Sequence, residues 1–294
     1  MNPRFSLVVA TVGRVVVLDA LMASLAAQAG PSFEVIVVDQ NGDGRLDAVL
    51  ARYGAAMPIR HVRADRRGVS FARNLGLLQC KGEIVGFPDD DCTYPPGVLA
   101  AVDAAFAADP ALGLLSGAVE APGGGLGSGR WHKVAAPVTR ANVWTTCVSI
   151  TLFPRRGVLD GVGGFDEALG VGARFGAAEE TDLVVRALDA GVRGRYDPAL
   201  RVAHPDKRLT AEAAARAYSY GLGCGFVLGR HCFGVAAVAT FLVRPLGGLV
   251  LGLVRGRAME MRYYGGTFGG RLAGLHAGWM RSNTLLSGNY FWSR

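Results

Sequence analysis

The feature that most constrains the fold of this chain is a series of short apolar runs that alternate with helical patterns. The clearest run is FEVIVVDQNGD, at 33–43, which is apolar from Val35 to Val38 and then enters a turn cluster at Asp39. An unbroken apolar run of this length is typical of a strand buried on both faces of a parallel sheet. The pattern therefore predicts an α/β fold.

Strands and helices alternate through the first 120 residues. We predict strands at 5–11, 33–39, 58–62, 83–87 and 112–120, and helices at 15–28, 44–53, 68–79 and 97–108. Further helices are expected at 177–191 and 211–223. Open α/β sheets bind ligands beyond the carboxyl ends of their strands. Thr11, Asp39 and Asp89 to Asp91 follow such ends, so we expect them to share one crevice.

Three consecutive carboxylates, Asp89 to Asp91, follow directly on the apolar run from Ile84 to Phe87. Carboxylates this close repel one another, so a positive group is expected among them. A solvated acidic turn is disfavoured by the buried strand that precedes it, and the residues lack the spacing of a calcium-binding loop. A divalent metal held by one or two carboxylates and by substrate phosphates fits this sequence best.

Charge is distributed unevenly along the 294 residues, whose net charge is +7. Residues 201–294 contain twelve Lys and Arg against three Asp and Glu, a balance of +9, which leaves −2 for the first 200. A basic segment suits nucleic acid, an anionic membrane surface or solubility. This one is largely apolar and lacks interleaved basic and aromatic residues on one helix face, so we do not expect nucleic-acid binding.

The composition changes near residue 210, which predicts a first domain at 1–210 and a basic, apolar helical extension at 211–294. Residues 233–254 resemble a membrane span, but Arg244 and Pro245 interrupt them. Arginine at a bilayer centre costs about 2.5–3.5 kcal/mol on insertion scales. We therefore predict two short helices that lie in a membrane interface. A buried helical hairpin, or a contact between copies of this chain in a homo-oligomer, is the alternative.

The cysteines, five in number and without a CxxC pair, argue against a disulfide framework and a zinc ribbon. They favour a reducing compartment. The N-terminal apolar run is predicted to be the first strand and not a signal peptide, because Arg14 and Asp19 interrupt it. We expect a cytoplasmic protein that sits peripherally at the inner face of the membrane.

An ordered set of short motifs resembles family 2 glycosyltransferases with the GT-A fold. That fold is a Rossmann-like open mixed sheet with helices on both faces, here followed by the C-terminal helical extension. The motifs cover most of residues 5–205 and occur in the family's order. They are VVATVGR (8–14), VIVVDQNGD (35–43), RRGVSFARNLGL (66–77), GFPDDDC (86–92), GGFDEALG (163–170), EETDLVVRALDAG (179–191) and VAHP (202–205).

The resemblance implies a binding site for a sugar nucleotide. Thr11 would touch the nucleotide, and Asp39 would accept hydrogen bonds from the base. Arg73 would lie near the base or the phosphates. Asp89 and Asp90 would help to hold the ribose or the metal.

The resemblance also implies a metal site and a catalytic base. Asp91 would ligate Mn²⁺ or Mg²⁺, with help from Asp89, and His204 would lie near the metal and the diphosphate. Glu179 and Glu180 match the family's acidic pair, whose second member is the usual base. The expected reaction is a single displacement with inversion, from a nucleoside-diphosphate sugar to a hydroxyl of a glycan or lipid-linked acceptor in envelope or extracellular glycan synthesis.

Two other functions fit the sequence less well. A sugar-1-phosphate nucleotidylyltransferase would carry a glycine-rich, basic loop after the first strand, which TVGRV at 11–15 matches poorly. A non-catalytic nucleotide-binding or scaffold protein would not need both an intact acidic triplet and an intact acidic pair. Transfer of a sugar therefore remains the expected activity.

Overall fold

The computed structural model describes residues 2–206 and 208–288. The chain divides into two compact units, the first made of Met1–Phe165 and Leu183–Asp206 and the second of Asp166–Asp182 and Lys207–Arg294. The predicted domain boundary near residue 210 stays a prediction. The end of the predicted extension, 289–294, lies outside the described residues.

The first unit contains a four-stranded parallel sheet with the order β3-β2-β1-β4. Its strands are β1 (Phe5–Thr11), β2 (Phe33–Asp39), β3 (Ile59–Arg63) and β4 (Ile84–Gly86). In the register of the sheet, Thr11 pairs with Asp39, and Asp39 pairs with Arg63. The carboxyl ends of three strands therefore meet at one edge, as the α/β pattern predicted.

A helix follows each of these strands along the chain, and the central strand β2 is buried on both faces. The helices are α1 (Val15–Ala26), α2 (Asp47–Tyr53), α3 (Val69–Leu77) and α4 (Val98–Ala108). Val35 to Val38 are fully buried, and complete burial of such a side chain contributes about 1.5–3 kcal/mol. Helix α3 packs closely on β1 at Gly76. A Cβ at this position would lie 2.4 Å from Cγ1 of Val8, so glycine permits the close approach.

A second, mixed sheet of the first unit has the order β6-β8-β5-β7. Its strands are β5 (Leu114–Glu120), β6 (Ala136–Pro137), β7 (Phe153–Pro154) and β8 (Gly194–Ala203). The short helices α5 (Val143–Thr146) and α6 (Arg156–Val162) lie in the connection between β6 and β8. The strand predicted at 112–120 thus belongs to this second sheet, where β5 and β8 run parallel.

The second unit is built mainly from three long helices. They are α8 (Ala211–Arg230), α9 (Val235–Val254) and α10 (Ala258–Gly288). Helices α8 and α10 touch through their backbones: a Cβ at Gly225 would lie 2.2 Å from the Arg271 carbonyl oxygen, and one at Gly270 would lie 2.1 Å from that of Tyr218. Helix α7 (Glu179–Asp189) begins in this unit and continues in the first.

The prediction of two short helices around Arg244 and Pro245 is wrong, because α9 is one continuous helix. Proline cannot donate to the carbonyl four residues earlier, which here belongs to Phe241. The guanidinium of Arg271, on α10, donates to that carbonyl instead. It also lies 4.9 Å from the centre of the Phe241 ring. A partner from the next helix therefore satisfies the hydrogen bond that proline removes.

Helix α9 is long and apolar enough to cross a membrane, and 11% of its most apolar window is buried within the structure. Its exposed side chains include Val243, Val250 and Val254. Length and composition are the grounds for this finding, and they do not distinguish a span from a helix that lies on a surface.

Candidate active site

Asp90 is a buried carboxylate beside the end of β1, at the edge of the parallel sheet. Its Oδ2 accepts a hydrogen bond of 2.7 Å from Oγ1 of Thr11, the last residue of β1. Burial raises the pKa of Asp90, because a low-dielectric environment disfavours the charged form. Thr11 and Asp90, both predicted to bind the nucleotide, therefore lie in direct contact.

Two arginines supply the positive charge that the acidic triplet requires. Nη1 of Arg14 lies 2.9 Å from Oδ1 of Asp90 and also binds Asp91. Nη2 of Arg73, which is buried on α3, lies 2.9 Å from Oδ1 of Asp89. Arg73 was predicted to belong to the site, whereas Arg14 was missed. Its position three residues after the end of β1 was the signal in the sequence.

The predicted metal ligands come together in the first unit. One ligand atom from each of Asp89, Asp91 and His204 lies within 4.8 Å of the others, as a metal site requires. Backbone pairing explains this meeting: Thr93 and Ala203 exchange hydrogen bonds of 2.9 Å in both directions. The chain just after the triplet is thereby held beside the end of β8, where His204 follows. Carboxylate and imidazole ligands suit Mn²⁺ and related ions.

His204 and Asp91 form an ion pair in which Nε2 lies 3.3 Å from Oδ1. The hydrogen bond between them raises the pKa of His204 and lowers the pKa of Asp91. Each shift favours the charged form of its group. Nδ1 of His204 lies 2.7 Å from the carbonyl oxygen of Pro205, which orients the ring with Nε2 toward Asp91.

Asp39 lies at the end of β2, as predicted, and its side chain is fully buried. Oδ1 accepts hydrogen bonds of 2.8 and 2.7 Å from the backbone and side-chain amides of Asn41. Oδ2 lies 2.9 Å from Nε2 of His61. The Asn41 side chain also accepts a bond from Gly13, so this network ties the loop after β1 to the end of β2. Sequence reasoning missed both partners, although Asn41 lies within the turn cluster.

The acidic pair, Glu179 and Glu180, begins α7 and belongs to the second unit. Glu179 is buried and Glu180 is half-buried. Acidic residues in the first turn of a helix interact favourably with its dipole. Ala178, which precedes the pair, has a φ of 68°, a left-handed conformation that is uncommon for a residue with a Cβ.

A family model described as "Glycosyl transferase family 2" matches residues 6–154, about half of the chain. The match begins in β1 and includes Thr11, Asp39, Arg73 and the acidic triplet. The chain belongs to glycosyl transferase family 2. The motifs of the sequence predicted this family.

One relative of this family 2 chain is the pre-mycofactocin glycosyltransferase of Mycobacterium tuberculosis. The two are 28% identical over 255 residues, which cover 74% of this chain and 52% of the relative. The chain thus spans about half the length of this relative.

Solved structures support the GT-A fold of this family 2 chain. The mannosyltransferase of Pyrobaculum calidifontis, in complex with GDP-Man and Mn²⁺, has a TM-score of 0.64 and 17% identity, and the match covers 94% of this chain and 88% of that one. TarS 1-349 of S. aureus, in complex with UDP-GlcNAc, has a TM-score of 0.60 and 18% identity, with coverage of 98% and 92%. At such identities the likeness shows the fold, and the predicted GT-A class is confirmed.

Proposed function

We propose that this glycosyltransferase is metal-dependent and inverting, and that it moves a sugar from a nucleoside diphosphate to an acceptor hydroxyl. The observation that carries the proposal is the group formed by Asp89, Asp91 and His204, whose ligand atoms lie within 4.8 Å of one another. Two carboxylates and an imidazole fit Mn²⁺ or Mg²⁺ at this place. A bound ion would offset the negative charge of the leaving diphosphate.

The remaining residues of the first unit would bind and orient the donor. Thr11 and Asp90 would meet the nucleotide together, since one hydrogen bond joins them. Arg73 would supply positive charge near the base or the phosphates. Asp39 would recognise the base, and because its carboxylate is fully buried, a base would reach it only after His61 or Asn41 shifts.

Glu180 would act as the catalytic base, with Glu179 as its neighbour in the acidic pair. The acceptor hydroxyl must lose a proton as it attacks, and a carboxylate within hydrogen-bond reach can accept that proton. Direct attack from the face opposite the leaving group inverts the anomeric carbon. The family membership of the chain favours this transfer over nucleotidylyl transfer and over a non-catalytic role.

We also propose a peripheral location at the cytoplasmic face of a membrane, where a glycan or lipid-linked acceptor of envelope synthesis would be met. The exposed apolar residues of α9 and the exposed arginines Arg244, Arg255 and Arg262 support this proposal. Arg230 is not part of this exposed set, because it contacts Asp166 and Asp182. Arg257 pairs with Glu260 at 2.7 Å.

The test is a panel of UDP-sugars and GDP-sugars, incubated with and without Mn²⁺ and a set of glycan and lipid-linked acceptors. We expect release of nucleoside diphosphate that requires the ion, with a product of opposite anomeric configuration to the donor by NMR. Turnover without divalent metal would contradict metal dependence. Retention of the donor configuration would contradict single displacement.

A further inference from the structure

The segment from Asp166 to Asp182 carries the acidic pair and packs with α8 in the second unit. Phe175 stacks on Phe226 of α8, with ring centres 3.9 Å apart and planes at 20°. The Gly176 amide donates to the carbonyl of Ser219 at 3.2 Å. The segment is therefore bound to α8 through both a ring contact and a backbone hydrogen bond.

The backbone of the segment touches α8 without space for a side chain. A Cβ at Gly223 would lie 2.3 Å from the carbonyl oxygen of Ala177, so only glycine fits at that point of α8. The next residue, Ala178, is buried and left-handed, with a φ of 68°. A strained backbone of this kind persists where the surrounding structure holds it, and it occurs often at functional sites.

Arg230, the last residue of α8, and His231, which follows it, contact both ends of the segment. Arg230 binds Asp166 with Nη1, and the same atom lies 3.3 Å from Oδ1 of Asp182. Nε2 of His231 lies 2.8 Å from that same Oδ1. The Asp182 side chain is fully buried and lies in the first turn of α7, two residues after Glu180. Two residues at the C-terminal end of α8 therefore contact this buried carboxylate, and a buried charge is costly unless it is paired.

We propose that Arg230 and His231 are positioning residues for the acidic pair. Their contacts with Asp182 fix the first turn of α7, and this fixes the backbone that carries Glu180. The inference rests on the proposed role of Glu180 as the base. On this inference, the C-terminal end of α8 supports catalysis by holding the start of α7. This role is separate from the proposed binding of the second unit to a membrane.

Hydrogen exchange of the full-length protein measures directly, without a substrate, how firmly the backbone of 175–182 is held. In His231→Ala, we expect amides of 175–182 to exchange at least tenfold faster than in wild type. His231→Gln keeps a donor that can reach Asp182 and should restore part of the protection. Arg216→Met removes an exposed arginine from the same helix and serves as the matched control, with unchanged exchange.

Turnover separates positioning from donor binding. With the sugar nucleotide selected by the panel, hydrolysis of the donor should show a kcat reduced ten- to a hundredfold in His231→Ala and in Arg230→Met. The KM for the donor should stay within twofold of wild type. Unchanged exchange and unchanged kcat in both variants would overturn the inference, as would a loss confined to KM.

A second substitution keeps the test decisive if His231→Ala folds poorly. Ala178→Gly accepts the left-handed conformation without strain, so it should stabilise the fold and, combined with His231→Ala, restore protection of 175–182. If the double variant does not regain amide protection, the contacts of Arg230 and His231 with Asp182 do not serve to hold the strained backbone at Ala178. If Glu180→Gln keeps full turnover while His231→Ala loses amide protection, Glu180 is not the base, but the contact between His231 and Asp182 does hold the start of α7.

Discussion

At the scale of single residues, the charge of the acidic triplet is balanced by the chain itself. The sequence predicted that Asp89 to Asp91 need a positive partner. The structure supplies Arg14 and Arg73 for this purpose, and His204 pairs with Asp91. The family motifs predicted Arg73 and His204 as residues of the site. Arg14 was missed, because the sequence does not show the direction in which its side chain points from the loop.

The His204–Asp91 pair has a pH dependence that can be measured. The raised pKa of His204 means that its contribution to stability is complete below the ordinary value of 6.5 and is lost as the pH rises through the raised value. The lowered pKa of Asp91 means that its contribution is lost as the pH falls through that lowered value. Both contributions are complete between the two ordinary pKa values, 3.8 and 6.5.

In Asp91→Asn, we expect the pKa of His204 to fall toward its ordinary value, because the hydrogen bond that raises it loses its charge. NMR titration of the imidazole signals in metal-free buffer measures the change. His132, whose Nε2 lies 3.0 Å from Oγ1 of Thr145, serves as the internal reference. A His204 titration that does not move would show that Asp91 is not its partner in solution.

The acidic pair gives a second prediction at this scale. Glu180→Gln should bind the donor as wild type does and lose transfer by about 10²–10⁴-fold, the usual contribution of a general base. Steady-state rates and calorimetry of donor binding measure the two properties separately. If Glu179→Gln is the inactive variant and Glu180→Gln is not, the roles within the pair are reversed.

At the scale of helices and strands, the α/β alternation and the strand ends were predictable because apolar periodicity decides them locally. Two features depended on distant partners and could not be predicted. Strand β5 joins β8, which lies some eighty residues away. Helix α9 continues through Pro245 because Arg271 of another helix binds the Phe241 carbonyl.

A double-mutant cycle tests that explanation of α9. Arg271→Met should destabilise the wild-type protein by about 1.5–3 kcal/mol, the range for a hydrogen bond to a charged group. Pro245→Ala restores an N–H that can donate to Phe241, so the same substitution should cost about 1 kcal/mol less in that background. Denaturant unfolding measures all four proteins. Equal costs in both backgrounds would contradict the compensation.

At the scale of the whole molecule, the second unit contains both the acidic pair and the exposed apolar residues of α9. Binding to anionic membranes should weaken with salt, because each arginine near the surface contributes about 1 kcal/mol that is screened. We expect full-length protein to float with anionic vesicles at low salt. Replacement of Arg244, Arg255 and Arg262 by glutamine should reduce that flotation.

Neutral vesicles and high salt are the controls for this experiment. Flotation that persists at high salt and resists alkaline extraction would show that α9 crosses the bilayer. Protein that stays in the aqueous fraction with every vesicle would show that the apolar residues of α9 serve another contact.

Asp91 is the proposed ligand of a divalent metal that the nucleotide needs for binding. Calorimetric titration of UDP and GDP, with and without Mn²⁺, tests this role most directly in wild type and in Asp91→Asn. Asp109→Asn, which alters an exposed ion pair with Arg193, is the matched control. We predict that Mn²⁺ strengthens nucleotide binding in wild type and in the control. In the presence of Mn²⁺, Asp91→Asn should bind the nucleotide more than about tenfold more weakly than wild type, and its circular dichroism should be unchanged. Equal metal-dependent affinity in Asp91→Asn and wild type would contradict the claim.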